Sequence, residues 1–165
     1  MKHRKLFWSI LFLMSLLTAC GLQKSDSNPS NDHTNSTPTS KPTSNGIANF
    51  GIEASLELKE DLSGLVFIFK LKNQSEQVQD LIFPSSLKYD YLVRDENNSI
   101  VKQRSKEMVG ADQVSVVKLK QGEELVYKED FNKVTKDLKK GNYTIEFIST
   151  AKKQDIRASL SFKVE

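Results

Sequence analysis

Histidine, cysteine and tryptophan are almost absent from this chain of 165 residues, which has 2 His, 1 Cys and 1 Trp. Cys20 is the only thiol, so no disulfide can form within the chain. His3 and His33 both precede residue 47, leaving the rest without an imidazole. A serine nucleophile usually needs histidine to take its proton, so the commonest route to hydrolysis is closed. A Ser and Lys dyad, or carboxylates such as Asp90 and Asp95, could do proton chemistry, but no spacing singles out either arrangement. The chain therefore reads as a non-enzyme. The same shortage removes a conventional zinc or copper site from the part after residue 46, and no cofactor is called for.

A surplus of charge is missing too. Lys and Arg number 24 against 21 Asp and Glu; without Lys2, Arg4 and Lys5, which precede every acid, the balance is 21 to 21. Interleaved charge of both signs offers no cationic face from which to displace counterions, and this excludes nucleic acid as an expected partner. Nor does any apolar run reach the roughly 20 residues of a bilayer-spanning helix.

What the N-terminus does have is the basic Lys2-His3-Arg4-Lys5, an apolar run from Leu6 to Leu17, and then Leu17-Thr18-Ala19-Cys20. An apolar run of about a dozen residues has the size of a signal-peptide core. A Leu at the third position before a Cys, with small residues between, resembles the lipobox of bacterial lipoproteins. Residues 1–19 are therefore expected to be a signal peptide, with Cys20 taking a diacylglycerol after cleavage before it. The alternatives are an ordinary signal peptide cut nearby or a buried Cys within the signal region. Two or three acyl chains on Cys20 would hold the protein on the extracytoplasmic face of the cell membrane. Residues 20–46 follow as a linker. From Gln23 to Asn45 there is no aliphatic or aromatic side chain, so nothing offsets the entropy of ordering the segment. A flexible tether of that length spans about 25–30 Å.

From residue 47 to 165 the hydrophobic period is 2. Ile52, Ala54, Leu56 and Leu58 alternate with Glu53, Ser55, Glu57 and Lys59, and Leu65, Phe67, Phe69 and Leu71 repeat the pattern up to a polar turn at Asn73-Gln74-Ser75-Glu76. Further strands are predicted over Val78 to Phe83, Tyr89 to Arg94, Ile100 to Gln103, Val114 to Leu119, Glu124 to Lys128, Tyr143 to Ile148 and Ile156 to Val164. Asp95-Glu96-Asn97-Asn98 suits a hairpin, and Gln121-Gly122 a strand-turn-strand. Only Asn132 to Lys140, with Val134 and Leu138 at helical spacing, predicts a short helix or a crossover. Short strands with so little helix predict an antiparallel sandwich. Leu138, Gly141 and Tyr143 have the spacing of a tyrosine corner, whose phenol bonds back to the backbone at the edge of an immunoglobulin-like sandwich. A core Tyr at a strand start is the alternative.

Phe83-Pro84-Ser85-Ser86, followed by Tyr89-Asp90-Tyr91, Val93 and Asp95, resembles the signature of the BsuPI-type domain, named for an intracellular proteinase inhibitor of bacilli. Gly122-Glu123 and Lys140-Gly141-Asn142-Tyr143-Thr144 fall in the order of that family's later motifs. The resemblance implies an immunoglobulin-like antiparallel β-sandwich and inhibition of serine proteinases. Lys102 and Arg104 stand where members commonly carry tryptophans, and Phe131 where another aromatic is usual. Read from the residues themselves, the signature is structural. Pro84 interrupts a strand, Ser85 and Ser86 satisfy turn backbone, and Tyr89, Tyr91 and Val93 share one buried face with Asp90 turned away from it.

Three functions from different classes follow as expectations. The first is a proteinase inhibitor whose loop, Lys106 to Gln113, offers Met108 and Val109 before Gly110 to a serine proteinase; the same residues also read as an ordinary connection. The second is a module that binds another envelope protein through an unpaired strand edge. The third is an accessory structural lipoprotein.

Overall fold

Period-2 patterning becomes two facing antiparallel sheets in the computed structural model, which describes residues 50–165. The expected signal peptide, Cys20 and the linker up to residue 46 lie outside the described residues. One sheet holds β1 (Ile52–Asp61), β2 (Gly64–Asn73) and β7 (Glu124–Asp130) in the order β1-β2-β7. The other holds β4 (Tyr89–Arg94), β5 (Ile100–Gln103), β8 (Gly141–Ser149) and β9 (Arg157–Val164) in the order β5-β4-β8-β9. A two-stranded ribbon pairs β3 (Gln79–Phe83) with β6 (Ser115–Leu119). Placing β7 beside β2, and β8 beside β4, makes the exchange between sheets that defines an immunoglobulin-like sandwich. All pairings are antiparallel.

The core is where alternation put it. Ile52, Ala54 and Leu56 of β1, Phe67, Phe69 and Leu71 of β2, and Ile145 and Phe147 of β8 are all fully buried. Phe147 joins the sheets, with ring centroids 5.5 Å from Phe69, 5.5 Å from Tyr91 and 5.6 Å from Tyr89. Such pairs add about 0.5–1.5 kcal/mol each beyond the apolar area they bury. Val66 and Ile68 are buried on the opposite face of β2, which alternation alone does not predict. That strand is central, with Lys59 and Glu57 of β1 and Asp130 and Lys128 of β7 across the ladder from them. The long stems of such side chains cover apolar surface while their charged ends reach water.

The Gln121-Gly122 turn forms, with Gly122 at φ 77°, but the strands on either side of it do not pair with each other. Phe69, Leu71 and their β7 partners Tyr127 and Leu125 draw β7 onto the core sheet, while β6 runs beside β3. Asn73 fills the junction. Fully buried, it donates from Nδ2 to the carbonyls of Gln77 (2.7 Å) and Leu119 (2.9 Å), and its own carbonyl accepts from the Gly122 amide at 2.7 Å.

Two single-turn helices punctuate the strands. The helix expected from Asn132 is shorter and starts earlier, as α2 (Phe131–Thr135), with Asp130 Oδ1 accepting the Lys133 amide at 2.8 Å and Val134 buried. α1 (Arg104–Glu107) is a helix where a plain loop was expected, so the exposed connection to β6 is confined to residues 108–114.

Candidate functional site

The segment from Met108 to β6 carries apolar side chains in solvent. Val109 is 94% exposed and Met108 42%, and Val114 is exposed where the segment meets β6. Met108 lies in extended backbone, φ −138° and ψ 120°. The family-signature residues sit directly beneath. A Cβ on Gly110 would approach Leu87 Cβ to 2.9 Å and the Leu87 amide to 3.0 Å, so only glycine fits. The Ser86 amide donates to the Ala111 carbonyl at 3.0 Å, and the Ala111 amide donates to Ser86 Oγ at 2.9 Å. Ser85 Oγ accepts the Leu87 amide at 3.2 Å and thereby turns the chain after Pro84. Phe83 anchors the corner in the core, with the Lys88 ammonium 4.8 Å from its ring centre.

The other end of the segment is tied to β4. Tyr89, Tyr91 and Val93 face the core, as their alternation predicts. Asp90 faces the other way and is saturated. Its Oδ1 accepts the amides of Tyr91 and Ser105, both at 2.9 Å, and its Oδ2 accepts Ser105 Oγ at 2.6 Å and Gln103 Nε2 at 3.0 Å. Burial pushes its carboxyl upward, but the hydrogen bonds from Gln103, Ser105 and Tyr91 outweigh that and hold it below the ordinary carboxylate value.

The buried Glu129 and the largely covered Arg104, 15% exposed, form a pair that alternation did not reveal. Glu129 sits opposite Phe67 on the core side of β7 and is 6% exposed. Its Oε1 accepts Tyr89 Oη at 2.7 Å and Arg104 Nε at 2.9 Å, while Lys133 Nζ lies 3.7 Å from Oε2. Arg104 Nη1 also donates to the Tyr89 carbonyl at 2.9 Å, and its guanidinium lies 4.2 Å from the Tyr89 ring centre. Burial raises the Tyr89 phenol well above its usual value, and the bond to Glu129 adds to this. Burial likewise pushes Tyr91 up to about 12. The signal for this pair was Arg104 itself, a cation where the family resemblance anticipates an aromatic. Lys102, the other departure, donates to the Lys133 carbonyl at 3.1 Å and lies 3.6 Å from Glu107. Phe131 keeps an aromatic role, with its ring 5.6 Å from Phe67 and 5.8 Å from Phe162.

The remaining sequence-predicted residues lie at the turn between β6 and β7 and at the start of β8. Gly122 forms the turn between β6 and β7. Gly141 opens β8, and Tyr143 Oη donates to the Lys139 carbonyl at 2.8 Å, the bond that defines a tyrosine corner. A polar cleft beside that corner is lined by Asp95, Glu96, Asn142 and Tyr143. Among the described residues no group of three His, Cys, Asp or Glu side chains could hold a metal ion, and no helix is long and apolar enough to cross a membrane.

A family model described as BsuPI, intracellular proteinase inhibitor, matches residues 52–154. No curated protein matches the chain. Among solved structures, β-glucosidase 3B from Thermotoga neapolitana in complex with glucose is similar at 15% identity and a TM-score of 0.34, covering 70% of this chain and 17% of that one. A β-glucosidase from Listeria innocua is similar at 18% identity and a TM-score of 0.32, covering 69% of this chain and 16% of that one. The chain thus spans a small part of either enzyme's length.

Proposed function

The chain belongs to the BsuPI intracellular proteinase inhibitor family, and from that premise we propose that it is a non-enzymatic inhibitor of serine proteinases which presents Met108 and Val109 to the proteinase cleft. The observation that carries this reading is an apolar segment with Met108 in extended backbone and Val109 94% exposed, pinned at its base at Gly110 and Ala111. A cleft takes substrate in extended form, and a segment already held that way loses little entropy on binding. The inhibitor works from the extracytoplasmic face of the cell membrane, held there by lipid on Cys20, as the charge, apolar run and Cys position of the N-terminus support.

The test is a titration of the protein against a subtilisin-like serine proteinase, following residual proteinase activity and the integrity of the chain. Stoichiometric inhibition is expected, weakened at least about a hundredfold by Met108→Asp, because an apolar cleft would have to bury an unpaired carboxylate. No inhibition at any excess, with the chain uncut, rejects the reading.

A second reading is favoured by one observation. Ile82 and its cross-strand partner Val116 are both exposed on the β3 and β6 ribbon, with Val114 exposed just before β6. An apolar ribbon face of this kind suits a module that binds another envelope protein.

A further inference from the structure

The Arg104 and Glu129 pair is more than the sandwich needs. Taking two charges out of water costs about as much as their attraction returns, and apolar residues of similar volume usually stabilise a core at least as well. What the pair fixes is the position of Arg104, one helical turn before Met108. The Arg104 carbonyl accepts the Met108 amide at 3.0 Å, so the residue is gripped by its side chain within the core and grips the exposed segment by its backbone. Asp90 acts on the same turn. α1 has no side-chain cap of its own at Gln103; its Ser105 amide and hydroxyl are taken instead by the Asp90 carboxylate, reaching over from β4.

We propose that Arg104 and Asp90 are positioning residues of the presented segment: through α1 they hold Met108 and Val109 extended above the sandwich, and this hold separates an inhibitor from a substrate. The proposal rests on the inhibitor reading and adds the residues that make it work. Gly110, Ala111 and Ser86 secure one side of the segment, and Arg104 and Asp90 the other. Neither positioning residue needs to touch the proteinase.

The experiment uses the full chain in mild detergent and two variants. Arg104→Met/Glu129→Gln removes both charges at similar volume, and the side-chain amide oxygen at position 129 can still accept the Tyr89 hydroxyl, so the buried phenol keeps its partner. Asp90→Asn removes acceptor capacity from the α1 cap with almost no change in shape. Three quantities are read: the thermal midpoint, the exchange rate of the Met108 amide, and inhibition of a subtilisin-like proteinase together with the mass of any cut product. Both variants should keep a midpoint within about 5 °C of wild type, since neither loses apolar packing. Met108 amide exchange should quicken at least about tenfold as the turn opens locally. Inhibition should weaken at least about tenfold, with the chain cut between Met108 and Val109, because the ordering cost then falls on binding.

Folded variants that exchange and inhibit like wild type overturn the proposal. If wild type itself does not inhibit, the inhibitor reading falls, and exchange alone decides the anchoring: faster at Met108 upholds it, unchanged removes it. Should the double variant fail to fold, Asp90→Asn decides by the same readings.

Discussion

Asp90 shows how much one side chain can organise. Four donors converge on its carboxylate, from Tyr91, Ser105 and Gln103, and three of them belong to the turn that leads to the exposed segment. Its pKa is held below the ordinary value, so the folded state favours the ionised form. The resulting stabilisation is fully present above the unfolded carboxyl value of about 4 and is lost as pH falls through the lower folded value. Asp90→Asn should therefore be less stable than wild type at neutral pH, and the gap should narrow below about pH 4. Thermal midpoints of both proteins between neutral and strongly acid pH measure this. A gap that stays constant across that range would show that the carboxylate's charge is not what the turn depends on. The residue type and its outward direction were legible from the alternation of Tyr89, Tyr91 and Val93. Its partners were not, because they arrive from the far side of a hairpin.

At the scale of elements, strands declared themselves and their partners did not always. β4 and β5 fall where the alternation and the Asp95-Glu96-Asn97-Asn98 turn predict, since a hairpin is a local structure with local signals. β6 and β7 have an equally local turn between them, yet β7 pairs with β2 because its core-facing side chains match those of that strand, a choice made over long sequence separation. α1 left no periodic signal, being one turn of Arg104-Ser105-Lys106-Glu107 capped from another strand. The segment after it comes closest to side-chain carbon at Gly110, next to the Ala111 and Ser86 hydrogen bonds. Gly110→Ala would drive a methyl to within 2.9 Å of Leu87, so either the corner or the segment must move. The expected cost is about 1–3 kcal/mol of stability, as for other overpacked sites. Inhibition should fall with it at temperatures where the variant is fully folded. Denaturant unfolding and the titration together check this; a variant with wild-type inhibition would show that the segment tolerates displacement.

For the whole molecule, the fold was legible in the sequence, and the address is a proposal that rests on the N-terminal pattern. The sandwich with its tyrosine corner and core was legible from period and spacing, whereas the pair of Arg104 and the buried Glu129 was not, because a charge at a core position looks like an error until its distant partner is known. The proposed lipid on Cys20 predicts that the protein takes up labelled palmitate and that Cys20→Ala abolishes the labelling. Unchanged labelling of the variant would refute the attachment site.

Anchoring the exposed segment from both sides has one more consequence. If a proteinase does cut between Met108 and Val109, the new carboxyl end stays close to Arg104 and the new amino end stays close to Ser86. The two termini then face each other at high effective concentration, which favours resealing the peptide bond over release. A nicked chain isolated from such a complex should still inhibit and should be partly rejoined by the enzyme that cut it, visible as recovery of the intact mass. Scission would then be a reversible strain on the molecule, and the proteinase would spend its turnover on a bond that heals.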